Sequence, residues 1–241
     1  MRPLSASSIV RAWEWGQDKH PVDLALFLLS QAYPEMDGEA LAALTLGQRN
    51  GRLLTLREKT FGPTITGFAR CDRCNEALEF SLSTEDILLP EPAQHTYRLE
   101  LPDLTVTFRL PNSADLAAIV GMAAADAARH LLIERCILSA ESNGMAVSIQ
   151  DLPAAVAPAL AEAVTDHDPL AERRLALTCA ACGHRWSALF DIVSFFRIEL
   201  DARARRLVQE VHVLAKAYGW RQAEILQMGA PLRQLYLELA A

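Results

Sequence analysis

The amino-acid sequence predicts an α+β fold that is mainly helical, with a small antiparallel zinc-ribbon-like β module formed by two distant CxxC hairpins. Three observations carry this expectation. Apolar residues recur every three or four positions near both ends of the chain, the period of an amphipathic helix. The period falls to two around Cys71-Asp-Arg-Cys74 and again around Cys179-Ala-Ala-Cys182, as in half-buried strands. The strand–CxxC–strand pattern occurs twice, separated by residues 75–178, and is the one repeat in the sequence.

In chain order, Ser5, Ser7 or Ser8 caps a short helix that passes Trp13 and Trp15 and ends at Gly16. Pro21 suits the first turn of a second helix, whose apolar face is Val22, Leu24, Ala25, Leu28 and Leu29 and which stops before Pro34. Another helix begins near Thr45, runs through Leu53, Leu54, Leu56 and Arg57, and terminates at Gly62. Thr64–Arg70 leads into the first cysteine pair, after which Leu78, Phe80 and Leu82 alternate with polar residues. The segment Leu89-Pro-Glu-Pro-Ala93 is the nearest thing to a hinge. Strands at Tyr97–Leu101 and Leu104–Leu110 meet at a tight Pro102-Asp103 turn.

Ser113 caps a helix entered at Ala114, Ala123–Leu138 is helical by composition and period, and a further helix runs from Asp151 to about Val164. Arg174–Thr178 and the alternation of Trp186, Ala188 and Phe190 form the second hairpin. From Asp191 one long helix carries the stripe Phe196, Leu200, Ala204, Leu207, Val211, Leu214 and Tyr218 as far as Gly219. Short helices at Trp220–Met228 and Pro231–Leu239 follow. The expected organisation is an N-terminal helical region (1–62), a β module (63–190) with a helical insertion at about 113–168, and a C-terminal long helix with a helical tail (191–241).

Composition narrows the class. A chain of 241 residues, 51% of them hydrophobic, builds a core and is not intrinsically disordered. With 23 Lys and Arg against 30 Asp and Glu, the formal charge is −7. That disfavours nucleic acid as the main partner, because neutralisation of phosphates by Lys and Arg supplies most of such affinity. No apolar run approaches the ~20 residues that cross a bilayer, and the first residues lack the apolar centre of a secretory signal. A cytoplasmic protein without a membrane partner is expected.

Cys71, Cys74, Cys179 and Cys182 are the strongest chemical signal. Two cysteines two residues apart aim both sulfurs at one ion when the chain turns tightly between them, and two such pairs complete a tetrahedral four-thiolate shell. Asn75 and Gly183, each directly after a second cysteine, tolerate the positive φ such a turn needs. One structural zinc shared by the two hairpins is the expectation. A closed shell leaves no coordination position for catalysis, and zinc binding supplies an apparent ~10–16 kcal/mol in zinc-finger peptides. Reduced thiols in a core and a redox-active pair remain as alternatives, although no βαβ pattern surrounds either motif. Ribbon cysteine pairs usually lie about 15–20 residues apart, so here two hairpins remote in sequence have to meet.

Other candidate groups read as structural. Cys136 falls in the apolar stretch Leu131–Leu138 and is expected in the core. His184 reads as a surface residue beside the second knuckle, and Asp166-His167-Asp168 before Pro169 as a solvated loop. Arg203, Arg205 and Arg206, with Arg197 nearby, read as a solvated helix face. Walker A, GxSxG and HExxH motifs and a GxGxxG after a strand are all missing, so neither an enzyme nor a small-molecule substrate is expected. The closing segment, with Trp220, Ile225, Leu232 and Tyr236, either packs on the long helix or docks against another subunit.

Three segments together resemble proteins of contractile phage tails and phage-tail-like injection systems. They are Leu46-Gly-Gln-Arg-Asn-Gly-Arg-Leu-Leu-Thr-Leu-Arg-Glu-Lys-Thr-Phe-Gly62, Cys179-Ala-Ala-Cys-Gly-His-Arg-Trp186 followed by Phe190-Asp-Ile192, and His212-Val-Leu-Ala-Lys-Ala-Tyr-Gly-Trp-Arg-Gln-Ala-Glu-Ile-Leu226. The last ends in Arg233-Gln-Leu-Tyr-Leu237 and is also similar to a helical motif of some tail-assembly chaperones. The chain thus resembles baseplate or hub-assembly proteins of the T-even phage type and of extracellular contractile injection systems. One departure is Asn75, where glycine is more usual. The resemblance implies a non-enzymatic structural or assembly role, with other baseplate or tail subunits as partners and a place in a phage-tail-like particle. The alternative from the ribbon alone is a nucleic-acid-binding or transcription-associated module.

Overall fold

A computed structural model describes residues 1–92 and 94–240; Ala93 of the Pro-containing segment and Ala241 lie outside the described residues. Helices α1 (Ala6–Gly16), α2 (Pro21–Ala32), α3 (Gly38–Ala43) and α4 (Leu46–Phe61) precede the first hairpin, β1 (Thr64–Arg70) and β2 (Ala77–Ser83). A single helical turn, α5 (Thr84–Ile87), is followed by β3 (Thr96–Leu101), β4 (Leu104–Arg109), α6 (Ser113–Ile119), α7 (Ala125–Cys136), β5 (Ile137–Ser142), β6 (Met145–Ala146) and α8 (Val156–His167). The second hairpin, β7 (Arg174–Thr178) and β8 (Arg185–Leu189), leads into α9 (Ile192–Tyr218), α10 (Gln222–Gln227) and α11 (Ala230–Ala240). Helix and antiparallel sheet together give the α+β class expected from the sequence.

The chain divides into two compact units, each drawn from separate stretches. Unit 1 comprises Met1–Met36, Leu53–Thr64 and the chain from Asp191 onwards; unit 2 comprises Asp37–Arg52 and Ile65–Phe190.

In unit 1, α9 is the element on which α1, α2, α10 and α11 pack. Its buried stripe is Phe196, Leu200, Ala204, Leu207 and Leu214, at the spacing that the sequence shows. Caps agree with local chemistry. The Ser8 N–H donates to Ser5 Oγ at the start of α1, Pro21 opens α2, and Gly219 at φ +70° ends α9. One buried charge of the unit is Arg57, near the end of α4. Its guanidinium donates to both carboxylate oxygens of Glu199 (2.9 and 2.6 Å) and to the carbonyls of Gly62 and Thr64 (2.6 and 2.7 Å). One side chain thus satisfies carbonyls where the helix stops and fixes the exit of the chain.

Unit 2 holds a four-stranded antiparallel sheet in the order β3-β4-β5-β6. Alternate β4 residues Leu104, Val106 and Phe108 face a core completed by Tyr97, Ile137, Ala140 and, from α8, Val156 and Leu160. Pro102 and Asp103, the latter at φ +59°, make the tight β3–β4 turn predicted from the sequence. The expectation that Ala123–Leu138 is helical throughout is corrected. Helix α7 stops at Cys136, and Ile137 and Leu138 begin β5, which pairs with β4. The insertion between the cysteine hairpins is therefore not purely helical. A turn through Asn143 (φ +49°) and Gly144 (φ +78°) then reverses the chain into β6. This Asn-Gly dipeptide is the strongest short-range hairpin signal in the segment. Helix α6 starts one residue earlier than expected, with Asn112 as its cap. The helix expected from Asp151 begins at Val156, after a 3-10 turn at Ile149–Asp151.

A second correction concerns Asp166-His167-Asp168. Rather than lying in a solvated loop, Asp168 is buried, and its Oδ2 accepts the Gly47 N–H at 2.9 Å, so it caps the first turn of α4 from far along the sequence. Burial pushes its carboxyl above the ordinary value, against the Gly47 hydrogen bond. The fit is close: a Cβ on residue 47 would lie 1.7 Å from Asp168 Oδ1. Gly47→Ala is therefore expected to destabilise unit 2 by roughly 1–3 kcal/mol, the usual cost of overpacking. In thermal melts the double variant Gly47→Ala/Asp168→Ala should lose clearly less than the sum of the single losses. Additive losses would show that the two positions do not compete for space.

Candidate metal centre

Both cysteine pairs sit at hairpin tips in unit 2, and the two tips are built alike. At the first, the Cys71 N–H donates to the Glu76 carbonyl (2.9 Å) and the Asn75 N–H to the Cys71 carbonyl (2.9 Å). At the second, the Cys179 N–H donates to the His184 carbonyl (2.8 Å) and the Gly183 N–H to the Cys179 carbonyl (2.9 Å). Asn75 (φ +60°) and Gly183 (φ +70°) occupy equivalent left-handed positions. The flanking strands set the approach. In the second hairpin Leu177 lies opposite Trp186 and Thr178 opposite Arg185, while in the first the Phe80 ring covers Gly67 so closely that a Cβ there would be 2.4 Å from it.

The structure brings the four sulfurs of Cys71, Cys74, Cys179 and Cys182 within 4.8 Å of one another. Across the two hairpins, Cys71 Sγ lies 3.7 Å from Cys182 Sγ and Cys74 Sγ lies 3.6 Å from Cys179 Sγ. A tetrahedron with metal–sulfur distances near 2.3 Å has edges of about 3.8 Å, so the cluster has the size of a four-thiolate shell. The separations far exceed a disulfide bond, and all four cysteines are free. The site fits a thiophilic divalent ion, and such an ion would leave it coordinatively closed.

Electrostatics point the same way. The Cys182 backbone N–H, with that of Ala181, outweighs burial at Cys179 and brings its thiol down to about 7. At Cys74 the Glu76 N–H acts to lower the pKa, but the Cys182 thiol, burial and the other two thiols prevail and push it up to about 12. Four sulfurs this close compete for protons and hydrogen bonds, a conflict that a bound cation relieves by holding them all as thiolates.

Next to the sulfurs, His184 Nε2 lies 2.8 Å from Asp72 Oδ1, joining one tip to the other outside the ligand set. His184, expected at the surface, is about one-third exposed and held by Asp72, a partner that its sequence surroundings do not announce as a pair. The signal available was positional: each residue is next to, or two beyond, a cysteine. Cys136 is buried, as expected.

The C-terminal candidates separate. Ile225 is fully buried within unit 1 and presents nothing to a partner. Trp220 and Tyr236 are half-buried and meet edge to face at 4.8 Å, while Trp220 stacks on Tyr218 at 4.5 Å. Leu232 is exposed. The basic cluster on α9 is largely engaged: Arg205 pairs with Asp201 at 2.8 Å, Arg203 approaches Glu210 at 3.6 Å, and Arg197 donates to the Lys19 carbonyl at 2.7 Å. Among the described residues, no helix is long and apolar enough to cross a membrane.

Residues 18–197 match a family model described as T4 bacteriophage base plate protein. The matched span contains all four cysteines and ends within α9. No curated protein and no solved structure matches the chain.

Proposed function

The chain belongs to the T4 bacteriophage base plate protein family, and from that membership we propose that it is a non-enzymatic structural or assembly component of a contractile phage-tail-like baseplate, held together in unit 2 by one structural zinc. The observation that carries this reading is the family match across residues 18–197, which includes both cysteine hairpins. The geometry supports it: four thiolates around one ion form a closed site that fixes two hairpins without offering a vacant position for substrate. What such a protein contributes is surface, and its partners are other baseplate or tail subunits. Engagement of Arg197, Arg203 and Arg205 by protein groups supports that reading over a phosphate-binding face and the nucleic-acid alternative.

Co-expression with tail and baseplate genes of the same source tests the proposal. The tagged chain is expected to bring down defined baseplate subunits at constant stoichiometry, in particles or in assembly intermediates. Recovery of the chain free of every one of them, with particles assembling normally in its absence, would overturn the reading. Its gene is expected to lie among those for sheath, tube and spike, and their absence from the neighbourhood would count against the reading.

A further inference from the structure

Helix α11 buries a charge and leaves most of its leucines exposed. Among its residues, the buried one is a charge: Arg233, whose guanidinium donates to Glu210 of α9 and to the Met228 carbonyl (2.9 Å). Three of its four leucines point the other way, Leu232 being 46% exposed, Leu235 51% and Leu239 69%, while Leu237 is half-buried with Tyr236. A buried ion pair is weak evidence for stability and costs desolvation, whereas an exposed leucine forgoes the transfer energy that normally orients an amphipathic helix. A helix that buries its arginine and exposes three leucines is oriented for something outside the chain.

The spacing of the leucines defines the shape of that partner. Positions 232, 235 and 239 are three and then four apart, the a–d–a seam that receives knobs from a facing helix. Charge defines its flanks. Arg233 is consumed internally, so the outward face of α11 carries one charged group, Glu238, whose carboxylate accepts from the neutral Gln234 amide (3.2 Å) and has no cationic partner among the described residues. Area argues against a second copy of this chain. An 11-residue helix is about 16 Å long, and one face of it offers a few hundred Å², well short of the ~800 Å² per partner of a self-sufficient interface. The occupant therefore has further contacts elsewhere in an assembly. Both α10 and α11 lie beyond the residues that the family model matches, so this face is not part of what that match describes.

The geometry points to the Leu232–Leu235–Leu239 face of α11 as a docking seam for an amphipathic helix of another subunit, with leucine-like residues at heptad spacing and Lys or Arg beside them to meet Glu238. This inference rests on the assembly reading above and names the surface and the chemistry of one partner. Trp220 and Tyr236, packed on Tyr218, act behind the seam and hold α11 in place rather than meeting the partner face-on.

The test uses two labelled synthetic helical peptides with the same leucine a/d seam, one flanked by lysines and the other by glutamates, titrated against the full chain. The lysine-flanked peptide is expected to bind at least about tenfold more tightly, a preference that Glu238→Lys reverses and Leu235→Asp abolishes for both peptides. Leu235 is exposed, so that variant keeps the fold, which its helical circular dichroism checks. Binding of neither peptide, or equal binding by Leu235→Asp, overturns the inference; so does a concentration-dependent dimer of the free chain that Leu235→Asp dissolves, since a second copy would then cover the face. If Leu235→Asp still co-assembles with baseplate subunits, the seam is wrong while the assembly reading stands. If the unaltered chain never co-assembles, the assembly reading fails whatever the peptides do.

Discussion

Cys74→Ser and Cys182→Ser are each expected to release the metal, so that elemental analysis of the purified chain falls from about one zinc per molecule to almost none. One ligand from each hairpin is lost in turn, and three thiolates with a hydroxyl hold a soft divalent ion far less well than four thiolates. The structural consequence should be local before it is global. Hydrogen exchange is expected to accelerate along β1–β2 and β7–β8, two-stranded hairpins that are marginal without their shared ion, while β3 and β4 keep their protection through the Val106–Phe108 core. Unit 1 contains none of the four cysteines, and its helical signal should persist. Removing the ion with a strong chelator should reproduce both effects. If either serine variant retains the parent's metal content and melting behaviour, the shared-site reading is wrong, and the four sulfurs are packed thiols.

The cysteine hairpins were legible because their signals are local and chemical. Strand alternation stops at a CxxC, the next residue is Asn75 or Gly183, and alternation resumes; both residues take the left-handed conformation that such a turn demands. Their convergence across 105 and 111 positions was legible only through valence, since four sulfurs complete a shell that two leave open. Strand β5 escaped because its sequence, Ile137-Leu-Ser-Ala-Glu-Ser142, continues the apolar pattern of α7 without a helix stop, and pairing with β4 decided its state. The Asn143-Gly144 turn was present to argue otherwise. Asp168 sits in a run of polar residues that reads as solvated, and nothing near it in sequence announces that Gly47 lies above its carboxylate. In the C-terminal tail the apolar pattern of α11 was visible, but its direction was not. Arg233 sets it, through an acidic partner on a different helix.

Asp115→Asn is expected to cost unit 2 on the order of 1–3 kcal/mol at neutral pH, less than for a wholly buried ion pair because the Arg109 and Arg135 side chains keep 28% and 38% of their surface in water. The Asp115 side chain is fully buried at the start of α6 and accepts from Arg109 of β4 (2.6 and 2.9 Å), Arg135 of α7 (2.9 Å) and the Asn112 N–H (3.0 Å). One carboxylate thereby ties a strand to two helices and completes a helix cap, and an amide in its place leaves two guanidiniums without a counter-charge. Burial acts to raise its pKa, but Arg109, the Asn112 N–H and Arg135 together outweigh it and hold the carboxyl below the ordinary value of 3.8. The sign of the pH dependence follows: a depressed carboxyl pKa contributes stability fully above the ordinary value and loses it as pH falls through the folded value. Asp168 works in the opposite sense, since its raised pKa contributes stability that is present in acid and lost as pH rises through its folded value. Urea unfolding should therefore be compared in an Asp168→Asn background, so that only one of the two carboxyls titrates with folding. There the gap between the chain that keeps Asp115 and its Asp115→Asn variant is expected to stay constant from neutrality down to about pH 5 and to narrow below it. A gap that is absent at pH 7, or that holds its full size well below pH 3, would mean that the two arginines do not depend on this carboxylate for their charge balance.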